Sequence, residues 1–150
     1  MAKFYYRMQS ILDIKYKLEE QAKQEFSAAQ SRYQKETERL ELFRQRKEAY
    51  LQEMRTYAED RLNVLELERC NQAMAVMEEK IKEQKEVVFR AMAEVDKARQ
   101  KLNQCVQERK THEKMKEHQF EEFLQELNAE ERKEIDELVS YRYSQSEKGD

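Results

Sequence analysis

Between Met1 and Lys148 this chain contains no proline and no glycine; its single glycine, Gly149, is the penultimate residue. Those two residue types most readily break a helix, one by removing a donor and clashing with the preceding turn, the other by its freedom. Ala, Leu, Glu, Lys, Gln, Arg and Met dominate the sequence, and all of them lose little entropy in a helix. The 150 residues are 41% charged and 39% apolar, too charged to fill a compact core. Disorder is the first alternative, but eight Tyr, six Phe and regularly spaced Leu, Met and Ala argue against it. The expectation is one or two very long helices.

The net charge is −3 with both signs interleaved, so no basic field draws in nucleic acid or an anionic membrane surface. The opening MAKFYYRMQSILDIKYK lacks the apolar run of a signal peptide, and no window approaches the roughly 20 apolar residues of a membrane span. A cytoplasmic protein without direct membrane insertion is expected. Cys70 and Cys105 lie about 50 Å apart if they share one helix, at 1.5 Å per residue, and cannot bridge there.

Two hydrophobic patterns appear. In the first arm Leu40, Phe43, Leu51, Met54, Ala58, Leu62 and Leu65 fit a 3-4-4 spacing with Lys47 as a polar step. Phe4, Met8, Ile11, Leu18, Ala22, Phe26, Ala29 and Tyr33 extend that face toward the N-terminus, with Lys15 as a break. Such an 11-residue repeat predicts little supercoil or a slight right-handed one. In the second arm the spacing tightens to sevens: Met74, Ile81, Val88, Val95 and Leu102 at one position, Cys70, Met77, Gln84, Ala91, Ala98 and Cys105 at the other. That is a coiled-coil seam.

Two long helices must form either a hairpin or a continuous rod that dimerises. Asn63 and Glu66 have the spacing of a capping box and favour a turn just before them; Cys70–Gln72 is a second candidate break, and an unbroken dimerising helix a third reading. With the turn centred on 61 and 62, Phe4 lies opposite about residue 119. Everything from Phe120 onward then lacks a partner, and Phe120 to Tyr143 projects about 36 Å as an amphipathic helix that needs another molecule. The expected fold is all-α: an antiparallel coiled-coil hairpin forming one unit over 1–150. Helix 1 covers about 4–59, the turn about 60–63, an overhanging helix 2 about 64–143, and a frayed tail 144–150.

No constellation for catalysis emerges. His112 and His118 are six apart and face different ways on a helix. HEKMK, residues 112–116, begins like the zinc-protease motif but has Lys116 where the second ligand belongs. Carboxylate pairs such as Glu121 and Glu122 sit on a solvated surface without the burial that acid catalysis needs. Cysteines in a seam act as small apolar residues. The chain reads as a non-enzyme without metal or cofactor.

Phe43, Tyr50 and Tyr57 recur at sevens on the shoulder of the expected stripe. They either wrap the partner helix or, with Arg39 and Arg46, form a patch for a binding partner, since aromatics and Arg anchor interfaces. The acidic run Glu130, Glu131, Glu134, Asp136 and Glu137 is either a solvated back face or a charge match for a basic ring or groove.

The opening FYYRMQSILDIKYKLEEQA, the stretch ERKTHEKMKEHQFEEF and the ending EERKEIDELVSYRY together resemble the flagellar type III export protein family FliJ. Glu113, Lys114, Glu117 and Gln119 match its E-K-x-x-E-x-Q-like segment; Glu131, Asp136 and Glu137 match its acidic ending. The resemblance implies a stalk-like antiparallel coiled coil that sits in the hexameric flagellar export ATPase. It implies contact with the cytosolic part of the membrane export gate, a role as an export chaperone with export substrates or other chaperones as partners, and a place at the inner membrane beneath the flagellum. Candidate ring contacts are Phe120, Phe123, Leu124, Leu127, Glu131, Glu134, Asp136 and Glu137. Candidate gate contacts are Arg39, Phe43, Arg46, Tyr50, Ala73 and Met77, although Arg46 and Ala73 stand where relatives can carry aromatics. The competing reading is a coiled-coil spacer with no ATPase partner.

Overall fold

The computed structural model describes residues 2–60 and 63–148. Two helices account for nearly all of them: α1, Gln9–Asp60, with 52 residues, and α2, Val64–Lys148, with 85. They pack against each other as an antiparallel helical hairpin. Residues 70–72 lie inside α2, so the later break does not occur; residues 61 and 62 of the expected turn lie outside the described residues. Asn63 stands immediately before α2, and its carbonyl accepts the Leu67 N–H at 3.0 Å as the first bond of the helix. Glu66 supplies an anion in the first turn and Lys148 a cation in the last, each favourable to the helix dipole.

Both helix limits differ from the sequence expectation. α1 begins at Gln9 rather than near Phe4, after a turn in which Gln9 N–H donates to the Tyr6 carbonyl at 3.2 Å. α2 runs to Lys148 instead of fraying from 144. Its last turns are tied by Ser144 and Ser146 hydroxyls donating to the carbonyls of Tyr141 and Tyr143, and by Gln145 donating to the Tyr141 hydroxyl at 3.0 Å.

By packing, the chain has two compact units: Glu19–Gln104, and Met1–Leu18 with Cys105–Asp150. In the first, α1 buries or half-buries Glu19, Ala22, Phe26, Ala29, Tyr33, Glu36, Leu40, Phe43, Lys47, Tyr50, Leu51 and Met54. Apart from Leu51, these alternate by three and four. α2 answers with Cys70, Met74, Met77, Ile81, Gln84, Val88, Ala91, Val95, Ala98 and Leu102 at the same alternation. Both arms therefore carry a heptad seam, and the 11-residue repeat expected for the first arm is corrected. The polar steps at Lys47, Glu36 and Glu19 belong to the seam rather than interrupting it.

Ion pairs flank this seam: Lys101 with Glu25 at 2.9 Å, Arg32 with Glu94 at 3.4 Å and Lys47 with Glu78 at 3.3 Å. Being exposed, each contributes about 0–1 kcal/mol. A stronger constraint lies inside. Buried Gln84 donates from Nε2 to the Glu36 carboxylate at 2.6 Å and to the Glu36 backbone carbonyl at 2.9 Å. A shift of α2 along α1 would strand that amide in an apolar layer, so the pair specifies register as polar seam residues do in other coiled coils.

In the second unit Leu12 is 1% exposed, whereas Ile11 and Leu18, expected in the stripe, are 37% and 41% exposed. The stripe is turned by about one residue, 100° of helix. Leu12→Ala is expected to cost about 2–4 kcal/mol through the cavity it leaves. Ile11→Ala should cost about 0.5 kcal/mol or less, as a surface change toward a better helix former. Denaturant titration of the two variants separates the heptad from the 11-residue stripe; equal losses would restore the latter.

Candidate functional site

Among the described residues no group of three or more His, Cys, Asp or Glu could hold a metal ion. Burial pushes the Cys70 thiol up, and the neighbouring Glu53 carboxylate, whose Oε2 accepts from Sγ at 3.7 Å, pushes further in the same direction. A thiol held protonated is a poor nucleophile. His112 is half-buried and His118 pairs with Glu122 at 3.2 Å. No helix of the described residues is long and apolar enough to cross a membrane.

What the hairpin offers is surface, and its most distinctive part lies in the unit that joins Met1–Leu18 to Cys105–Asp150. Phe4 stacks edge-on against Phe120 with centroids 5.1 Å apart and lies 5.5 Å from Phe123. Phe120 and Phe123 thus have a partner, contrary to expectation. The reason is register: Lys116 donates to Gln9, and counting back along the pair from that contact puts Phe4 opposite about residue 121 rather than 119. Phe123 and Leu127 are half-buried, Leu124 is exposed, and every residue from Asn128 to Lys148 is exposed. The unpartnered segment begins at about 128 rather than 120. Its Ile135, Leu138, Val139, Tyr141 and Tyr143 are 58–68% exposed, and Glu131, Glu134, Asp136 and Glu137 stand exposed among them.

The candidate gate residues divide differently. Phe43 and Tyr50 are half-buried seam positions, so of the two readings of these aromatics the packing one applies to their inner faces. The Phe43 ring also carries cations on its outside, with Arg39 at 5.6 Å and Lys80 at 5.9 Å from its centroid. Arg39 and Arg46 are exposed, Ala73 is half-buried, and Met77 is buried. Met77 supports the hairpin and offers no surface. Tyr57 sits at the exposed edge.

Beside the Phe4 cluster lies an open groove of about 680 Å³, whose lining includes Phe4, Leu12 and Phe120 together with Tyr16, Lys110 and Lys114. Sequence periodicity gave no sign of it, because it depends on where residues before α1 lie against α2. Across its wall the Tyr16 hydroxyl donates to Glu113, whose second oxygen accepts from Arg109 at 3.0 Å. Lys15 pairs with Glu108 at 3.2 Å, and Lys116 donates to Gln9 Oε1 at 2.6 Å.

The family described as flagellar FliJ protein matches this chain over residues 4–148. The chain belongs to the FliJ family. It is accordingly a coiled-coil protein associated with flagellar protein export. Neither a curated protein nor a solved structure matches it.

The bond from Tyr16, ahead of the contribution from Arg109, holds the Glu113 carboxyl below its ordinary value of 4.5. Between that lowered value and 4.5 the unfolded chain binds more protons than the folded one, so stability falls as pH falls through this window. The contribution is complete at neutral pH and vanishes at strongly acid pH. Melts of Tyr16→Phe and Glu113→Gln are expected to lie below the parent at neutral pH and to converge on it as acid is added. A constant difference across the range would show that the bond does not act through ionised Glu113.

Proposed function

We propose that this protein is the non-enzymatic stalk of the flagellar type III export apparatus, seated in the export ATPase ring through the end of α2 and linked to the cytosolic part of the export gate. The single observation that carries this reading is the run from Asn128 to Lys148, helical yet exposed throughout. A helix with apolar residues at 135, 138 and 139 that rests on nothing of its own chain is a surface awaiting a partner. Leu124 and Leu127 lead into it, and Glu131, Glu134, Asp136 and Glu137 give it a charge that a basic ring lumen complements. Phe120 and Phe123 hold its base through Phe4.

For the gate, Arg39 and Arg46 with the outer edges of Phe43 and Tyr50 form the accessible part of the patch, backed by Ala73 and Met77. Binding of export substrates or other export chaperones, and a position beneath the inner membrane, belong to the same proposal, and membership of the family supports them.

Truncation after Ala129 tests it. The seam and the Phe4 contacts all lie before that point, so thermal stability should change little. Affinity for the export ATPase should fall more than tenfold, which corresponds to losing only about 1.4 kcal/mol of contact energy. Reversal of charge at Glu134, Asp136 and Glu137 should mainly slow association and reduce its salt dependence. A truncated protein that binds the ATPase with parental affinity would assign the ring contact elsewhere.

A further inference from the structure

The groove beside Phe4 and the exposed end of α2 have complementary chemistry. We infer that, away from the ring, two copies of this chain form a symmetric dimer in which the 130–143 helix of each copy lies in the Phe4–Leu12–Phe120 groove of the other. Phe4 and Phe120 give the groove its accessible apolar surface, buried Leu12 adding almost none, and its volume is about 680 Å³. Along it Glu113 is engaged by Tyr16 and Arg109 and also feels the charge of Lys110, and Lys116 donates to Gln9. The lining holds three lysines, Lys110, Lys114 and Lys116, against two carboxylates, Glu113 and Glu117, so it carries an excess of positive charge.

The tail presents the opposite. Ile135, Leu138 and Val139 lie at i, i+3 and i+4, with Glu131 one turn before Ile135 and Glu134 one turn before Leu138 on the same face. Apolar residues bordered by carboxylates thus meet an apolar floor bordered by lysines. Two other occupants are disfavoured. A tail laid back into its own groove requires α2 to break, yet α2 is continuous from Val64 to Lys148 and has no proline or glycine in that span. Two tails paired parallel and in register would set Glu131 and Glu134 against the same residues, a like-charge contact. The reciprocal arrangement closes on itself, as two-fold interfaces do, and so stops at two copies.

The consequence for export rests on the ring-binding reading. Each copy would shield the surface that the ring takes, and seating in the ring would require the dimer to part. The dimer itself does not depend on that reading.

The test uses the full chain, without the ATPase, in sedimentation velocity over a concentration series at low and moderate salt. The parent should show a dimer that weakens with salt. Lys110→Glu with Lys114→Glu, and separately Glu131→Lys with Glu134→Lys, should each weaken self-association at least about tenfold while retaining parental helicity. The decisive arm mixes the two variants: each opposes its own kind, but the mixture pairs reversed groove with reversed tail and should restore the dimer. A monomeric parent overturns the proposal, as does a mixture that stays monomeric or a dimer that persists after truncation at Ala129. No arm contains the ring, so a failure here leaves the stalk reading standing, and a failure of the stalk reading leaves the dimer standing.

Discussion

Everything in this molecule depends on a narrow stripe being covered. Each helix has one face that can be buried, three or four residues wide per two turns, and the other helix is what covers it. A two-stranded seam excludes water less completely than a globular core. Leu12 is the one large side chain among those described that is fully buried, while Met74, Val88 and Leu102 remain half-wet. Stability is consequently spread over many layers, each modest. Register, by contrast, is concentrated: apolar layers of similar size tolerate sliding, whereas the two hydrogen bonds from Gln84 to Glu36 exist at one offset only.

The all-α class and the hairpin were legible because they rest on absences and periods that no tertiary detail can reverse. With no proline or glycine to break them, its strong helix formers favour long helices, and the second arm displays its heptad in apolar residues from Cys70 to Cys105. The first arm conceals the same heptad. Its seam includes Lys15, Glu19, Glu36 and Lys47, and several of these find partners on α2: Lys15 at Glu108, Glu36 at Gln84, Lys47 at Glu78. Ile11, Leu18 and Leu42 meanwhile lie exposed. A rule that counts apolar residues finds most of this face but slips at Ile11 and Leu18, where polar seam residues matched across the pair share the buried line; the match is a property of two segments and the count is a property of one. Reading opposite charges at antiparallel offsets would have supplied the missing signal.

The position of Phe4 has the same origin. Its place along α2 depends on the register of the two helices, which the Gln9–Lys116 contact sets about two residues beyond the expected one. That register brings Phe4 onto Phe120 and Phe123. That contact shortens the unpartnered segment and, with Leu12 and Tyr16, makes a groove that no single stretch of sequence encodes. The candidate site was thus legible in its charged and apolar tail residues but not in its boundary.

The end of the seam carries its own argument about partners. After Phe120, Phe123 and Leu127, the next positions at steps of three or four are Glu130 or Glu131 and then Glu134, before apolar character returns at Leu138 and Tyr141. Two successive acidic layers cannot be buried against an apolar helix without a large desolvation cost. They can be buried against one that brings lysines or arginines, where the charges pair and the flanking Ile135 and Leu138 supply the apolar area. The tail is therefore selective by what it refuses. Ordinary coiled-coil partners, including another copy of itself in register, are rejected at Glu131 and Glu134, and only a surface that combines a basic edge with an apolar floor can satisfy both layers at once.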